Sequence, residues 1–169
     1  MNLILDNPHK NDCKDMEAIF NYIKQFILST VNGYLPEYAD ENTPMNAIEE
    51  KNIVFGAVDL SRYTDKIVCA IVPDSEDDEE AEIGADKENS DFTVSFLCRG
   101  YAQDVLVRQM CRYGAAFRRA VLDDVSLNGT VERAEIGRRN FFTDAGTVEK
   151  QMTAVEISLT VITEDEIEL

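Results

Sequence analysis

The feature that most constrains this sequence is the apolar pattern between Tyr101 and Leu122. Large apolar or aromatic residues recur there at steps of four, three, four and four, which is the period of one face of an α-helix. They are Leu106, Met110, Tyr113, Phe117 and Val121. A stripe of about five turns predicts a long helix over residues 101–122 that packs against the core of the domain.

The opposite side of this helix carries Arg108, Arg112 and Arg119, with Ala115 completing their row. A basic row is notable here because the chain has a formal net charge of −17 at pH 7. Two interpretations are open. The arginines could pair with carboxylates of their own chain, as surface arginines commonly do. They could instead contact an acidic neighbour, such as a second copy of the chain, because arginine is favoured at interfaces.

The length of 169 residues and the hydrophobic content of 44% suit a single globular domain over residues 1–169. No apolar run reaches the ~18 residues of a membrane span, and the N-terminus lacks the basic region of a signal peptide. The acidic charge predicts repulsion from nucleic acid and anionic membranes. We therefore expect a soluble intracellular protein.

The cysteine and histidine residues form no metal-binding or catalytic motif. The cysteines, Cys13, Cys69, Cys98 and Cys111, are scattered singly, and His9 is the only histidine. Zinc sites need closely spaced ligands, so we expect reduced, buried thiols. The sequence also lacks phosphate-binding loops, nucleophile elbows and dinucleotide-binding glycine motifs. These features predict a protein without enzymatic activity, cofactor or metal.

The N-terminal region is predicted to be an arm, residues 1–11, followed by a helix that Asn11 or Asp12 caps. The helix is expected to end before Gly33, which suits a left-handed position just past a helix. Pro36 is expected to prevent the helix from continuing. Its apolar stripe consists of Met16, Ile19, Phe20, Ile23, Ile27 and Val31.

Two strands with an acidic insertion between them are predicted in the middle of the chain, after a strand from Ile53 towards Leu60. They cover residues 66–73 and 92–98, and Phe92, Val94, Phe96 and Cys98 share one face of the second. The insertion, residues 74–91, has ten carboxylates and one lysine, so we expect a solvated loop. It lacks the ligand spacing of a calcium-binding loop.

The C-terminal part is predicted to contain a hairpin and a final strand. Asn128-Gly129 is a type I′ turn signal between strand-like segments. Residues 152–163 alternate strictly, with Val155, Ile157, Leu159 and Val161 on one face. Residues 164–169 are expected to be an acidic tail. The whole order predicts an α+β domain with two long helices packed against a mostly antiparallel sheet.

Four segments follow one another along this sequence. They are a leading helix, an acidic insertion between IVCAIVP and DFTVSFLCRG, a helix containing VRQMCRYGAAFRRAVLDD, and a final strand TAVEISLTVIT. In this layout the chain, from about Asp12 to Thr163, resembles the tail terminator and tail-completion (head-tail joining) proteins of tailed bacteriophages. The resemblance implies a small α+β subunit without catalytic residues that closes into a ring, commonly a hexamer, at the end of the tail tube. It implies as partners the tail tube protein and neck proteins, and as location the virion, after assembly in the host cytoplasm.

A ring of identical subunits needs two different, complementary patches on each subunit. The candidate interface residues are Arg108, Arg112, Arg118 and Arg119, with Arg138 and Arg139 behind them. The candidate residues for an acidic channel or loop, past which DNA moves without specific binding, are Asp74, Glu76, Asp77, Asp78, Glu79, Glu80 and Glu82. Two alternatives remain open: an acidic DNA mimic that inhibits a DNA-binding enzyme, and a head-tail connector or other neck subunit.

Overall fold

The computed structural model describes residues 8–80, 85–144 and 151–166. In chain order the main elements are α1 (Pro8–Phe26), a π-helical segment (Ile27–Val31), α2 (Asn32–Tyr38), β1 (Ile53–Phe55), β2 (Ile67–Glu80), β3 (Ala85–Arg99), α3 (Gln103–Asp123), β4 (Arg133–Phe142) and β5 (Met152–Glu166). Short 3-10 turns occur at Glu50–Asn52 and Leu60–Arg62. The predicted α+β class is confirmed.

The strands form one sheet in the order β1-β2-β3-β5-β4. Three of its neighbouring pairs are antiparallel, and only the pair of β1 with β2 is parallel. Strand β5 lies between β3 and β4, although β4 precedes it in the chain. The prediction of a mostly antiparallel sheet is therefore confirmed, and β1 and β4 are its two edge strands.

One hydrophobic cluster lies between the helices and one face of the sheet. All five apolar residues predicted for the stripe of α3 are buried in it, as are the predicted inward-facing residues of β3 and β5. The ring of Phe96 on β3 lies 5.8 Å from the Tyr113 ring and 5.6 Å from the Phe117 ring, measured between centroids. The interpretation of residues 101–122 as the helix that covers the sheet is confirmed.

The predicted end of the N-terminal helix is wrong. Helical backbone continues past Gly33 to Tyr38, with Pro36 inside α2. Ile27, Val31 and Leu35 are buried at steps of four, and burying side chains of this size outweighs the ~1 kcal/mol cost of a helical glycine. A π-helical turn, Ile27–Val31, directly precedes α2. The prediction of two long helices is therefore confirmed only in part: α3 is continuous, whereas the N-terminal helical region is divided into α1, the π-helical segment and α2.

The start of this helix also differs from the prediction. Helix α1 begins at Pro8, so residues 8–11 belong to the helix and not to an arm. Proline suits the first helical position, where its missing N–H has no partner to lose. The rest of the predicted arm, residues 1–7, lies outside the described residues.

The prediction that the acidic insertion is a loop is wrong. Residues 74–80 continue β2, residues 85–91 begin β3, and residues 160–166 of β5 pair along the other side of β3. Strand β3 therefore has hydrogen-bonding partners on both edges, which outweighs the repulsion between solvated carboxylates. We call this three-stranded extension the acidic ribbon. Residues 164–166, predicted as a tail, also belong to it, whereas residues 167–169 lie outside the description.

Two further predictions are corrected in the connections. Strand β1 ends at Phe55 because Gly56 turns the chain with a φ of 110°, so no strand reaches Leu60. The Asn128-Gly129 pair closes no hairpin: Leu127, Asn128 and Gly129 all have positive φ and connect α3 to β4. The Asp124 carboxylate accepts hydrogen bonds from the backbone N–H groups of Ser126 and Asn128, which holds this turn.

Truncation of the α3 stripe tests its contribution to stability. We expect Phe117→Ala to lower the free energy of unfolding by ~2–5 kcal/mol, because the ring is fully buried and its removal leaves a cavity. Chemical denaturation followed by circular dichroism measures this. Cys111→Ala, on an exposed side of the same helix, is the control and should change stability little. A loss well under 2 kcal/mol for Phe117→Ala would contradict the packing described.

Candidate interaction surfaces

Three of the predicted interface arginines bind their own chain. Arg108 donates to the Thr43 hydroxyl at 3.0 Å and to the Asp104 carboxylate at 3.3 Å. Arg112 donates to the Tyr38 carbonyl at 2.8 Å and to the Asp40 carboxylate at 3.0 Å.

Arg119, one turn from the end of α3, is engaged in the same way. Its guanidinium forms an ion pair with Glu37, lies 3.7 Å from the Asp123 carboxylate and sits over the Tyr34 ring, 4.8 Å from its centroid. The first of the two interpretations of the arginine row therefore describes these side chains. They attach α2 and the connection that follows it to the outer side of α3.

The connection itself is held along α3 by further hydrogen bonds. Gln109 donates to the Pro44 carbonyl at 2.6 Å, and the Tyr113 hydroxyl donates to the Asn46 carbonyl at 2.7 Å. Asn32 bonds both backbone groups of Ile48, at 2.8 Å each. The acidic residues of the connection were visible in the sequence, but nothing in their spacing indicated that they return to α3.

The other three predicted arginines have a different environment. Arg118, Arg138 and Arg139 are exposed, and none forms an ion pair with another described residue. Arg138 and Gly137 form a β-bulge, standing together opposite Ser158 of β5. The sequence grouped all six arginines together, and the structure divides them into three that are engaged internally and three that face outward.

The outward-facing arginines lie beside exposed apolar side chains. A Cβ placed at Gly114 would be 4.0 Å from the Phe141 ring, so this part of α3 faces the end of β4. Arg118 and Leu122 follow Gly114 at helical steps of four and share its side of α3. Arg139 is two residues from Phe141 and shares its face of β4. We call the set of Arg118, Leu122, Arg139 and Phe141 the α3–β4 face.

The apolar content of this region was missed by sequence reasoning. Leu122 is 53% exposed and Phe141 is 46% exposed; Val125, just after α3, is also exposed, as is Phe142 on the other face of β4. These are four of the six large apolar side chains that are exposed among the residues with described side chains. The pair Phe141-Phe142 is visible in the sequence, but no local pattern places it at the outer edge of the sheet.

Six of the seven acidic residues predicted for a channel lie on the ribbon. Asp74 is exposed and accepts a hydrogen bond from the Thr93 hydroxyl at 2.6 Å. Glu76, Asp77, Asp78, Glu79 and Glu80 follow it along β2. Glu82 lies outside the described residues. The outer edge of β2 beyond Ile71 has no strand partner within the described chain, because β1 pairs only with Cys69–Ile71.

The remaining polar groups do not form a reaction centre within the described parts of the chain. An open hollow is lined by Asp40, Asp104, Arg108 and Arg112, but these charges are already paired with one another. Burial raises the pKa of the Cys98 thiol to about 12, so this thiol is inert at neutral pH. No three His, Cys, Asp or Glu side chains among those described are close enough to hold a metal ion.

Comparison with protein-family models and with curated protein sequences gives no match for this chain. Within the described residues, no helix has the length and apolar content needed to cross a membrane.

Acid titration of Asp40 should reveal its role in attaching the connection to α3. The Arg112 guanidinium, together with the Asn42 and Thr43 backbone N–H groups, holds the pKa of Asp40 below its ordinary value of 3.8. A carboxyl with a lowered pKa in the folded state stabilises the fold above its unfolded pKa and loses that effect as pH falls. We expect Asp40→Asn to lower the melting temperature at pH 7, and the difference from the unmodified protein to shrink below about pH 4.

Melting curves measured by circular dichroism between pH 3 and pH 7 provide this comparison. Glu41→Gln is the matched control, because Glu41 is the exposed neighbour of Asp40. A melting-temperature difference for Asp40→Asn that is the same at both ends of this pH range would refute the ionic contribution.

Proposed function

We propose that this chain is a tail terminator subunit of a tailed bacteriophage, a non-enzymatic structural protein that forms a ring on the end of the tail tube. The order of its elements and its acidic insertion motivate this proposal. The sheet supports it: β1 and β4 are open edge strands at opposite sides of the subunit, and each carries an exposed aromatic side chain. Open edges of this kind are normally covered in stable proteins.

The observation on which the proposal depends most is this pair of different open edges. A head-to-tail interface joins two different patches, and its repetition generates a ring when the rotation closes. A single subunit leaves Phe55 on one edge and Phe141 on the other exposed to water. Association between copies would bury both edges, and by the resemblance we take the closed ring to be a hexamer.

The acidic ribbon provides the second support. It holds a dense group of carboxylates on paired strands, which gives them a fixed place in an assembly. Around a central channel, several ribbons would repel the phosphate backbone and let DNA pass without adhering to the wall. The internal ion pairs of Arg108, Arg112 and Arg119 remove these residues from the proposed interface, and Arg118, Arg138 and Arg139 remain in it.

A second candidate function is a DNA mimic. The ribbon favours it more than an unpaired loop would, because a backbone already paired into strands loses less conformational entropy on binding. The two functions differ in their partner: a mimic would occupy a DNA-binding enzyme, whereas a terminator would bind copies of itself and a tail tube.

Assembly measurements test the terminator proposal. We expect native mass spectrometry of the purified protein to show a closed oligomer, and electron microscopy to show that the protein attaches to the ends of isolated tail tubes. The tubes must come from a phage that encodes this chain, and tubes from an unrelated phage are the control. A monomer that fails to attach to its own tubes would refute the proposal, and inhibition of a nuclease by that monomer would favour the mimic.

A further inference from the structure

The distribution of paired and unpaired lysine and arginine side chains identifies one surface of this protein. Thirteen lysines and arginines have described side chains, and ten of these have a partner in the chain. Their partners are carboxylates, a backbone carbonyl for Arg99 and the Tyr101 ring for Lys66. The remaining three are Arg118, Arg138 and Arg139. They are exposed on α3 and β4, beside the largest concentration of exposed apolar side chains.

The opposite side of the sheet has complementary properties. Phe55 on β1 is 41% exposed and packs against Phe20 of α1, with the ring centroids 4.4 Å apart and the rings tilted by 35°. Strand β2 continues past β1 from Asp74 to Glu80, with six carboxylates and no lysine or arginine. We call Phe55 together with residues 74–80 the β1–β2 edge. It combines an exposed aromatic ring with negative charge, whereas the α3–β4 face combines exposed apolar groups with positive charge.

We propose that the α3–β4 face is the docking surface for a second copy of this chain, and that it receives the β1–β2 edge of that copy. This inference rests on the ring assembly of the proposed function and identifies the two surfaces that form it. Arg118 and Arg139 pair with carboxylates that begin at Asp74, and Leu122 and Phe141 cover the apolar part of the neighbouring edge.

Net charge makes this pairing selective. Two copies at −17 each repel one another, so association requires that cations meet carboxylates locally. A symmetric contact of two α3–β4 faces would bring arginines together, and a contact of two β1–β2 edges would bring carboxylates together. The head-to-tail contact alone joins opposite charges. It also covers the unpaired outer edges of β4 and β2 at once.

Two charge-reversed variants test the two surfaces separately. Variant one is Arg118→Glu with Arg139→Glu, and variant two is Asp74→Arg with Phe55→Ser. We expect each to dissociate into monomers, with the concentration for half-assembly raised by about tenfold or more. The control, Arg108→Glu with Lys66→Glu, makes the same charge change as variant one away from the α3–β4 face and should still assemble. Circular dichroism melts establish that each variant is folded.

Mixing the two variants distinguishes head-to-tail docking from any symmetric contact. Variant one keeps an intact β1–β2 edge, and variant two keeps an intact α3–β4 face. An equimolar mixture should therefore form heterodimers that cannot close into a ring, and native mass spectrometry should detect one copy of each.

Several outcomes would overturn the inference. Variant one assembling like the unmodified protein would exclude the α3–β4 face, and a mixture that stays monomeric would exclude head-to-tail docking. An unmodified protein that is monomeric at every concentration would exclude self-docking altogether. An oligomer that survives in variant one and still attaches to tail tubes would refute this inference but leave the proposed function intact. Heterodimers formed by a protein that does not attach to tail tubes would support this inference and refute the proposed function.

Discussion

The packing of α3 on the sheet organises the rest of this structure. Its apolar stripe covers β3 and β5, with Tyr113 and Phe117 against Phe96. Gly114 allows the helix to approach closely, since a Cβ there would lie 3.3 Å from Val155. Because the inner side of α3 is fixed by this contact, its outer side must accept the returning connection, and its flank must face β4. The positions of the four arginines of α3, Arg108, Arg112, Arg118 and Arg119, follow from that orientation.

Charge has two separate uses in the molecule. Arg108, Arg112 and Arg119 neutralise nearby carboxylates and attach a polar connection to α3, which is a contribution within the subunit. Arg118 and Arg139 stand on a different flank of the same helix and on the sheet edge, beside exposed apolar groups. Positive charge next to apolar surface is typical of protein interfaces, where arginine is enriched and lysine depleted.

The acidic ribbon illustrates a limit of reasoning from composition. Ten carboxylates in eighteen residues predict a solvated segment, and a solvated segment can still form paired strands. Composition does not reveal that β5 extends along β3, so that the backbones of these two strands hydrogen-bond to each other. Pairing over that length is a long-range property, and it converts a segment with no apolar core into ordered strands.

The sequence by itself determined the α3 stripe, the inward-facing residues of β3 and β5 and the α+β class, because periodicity reports which face of an element is buried. It did not determine where the N-terminal helix ends, since Gly33 and Pro36 are local signals that the burial of Leu35 overrides. It also could not divide the six candidate arginines. That division depends on which residues from distant parts of the chain lie beside α3, and only the tertiary structure brings those residues together.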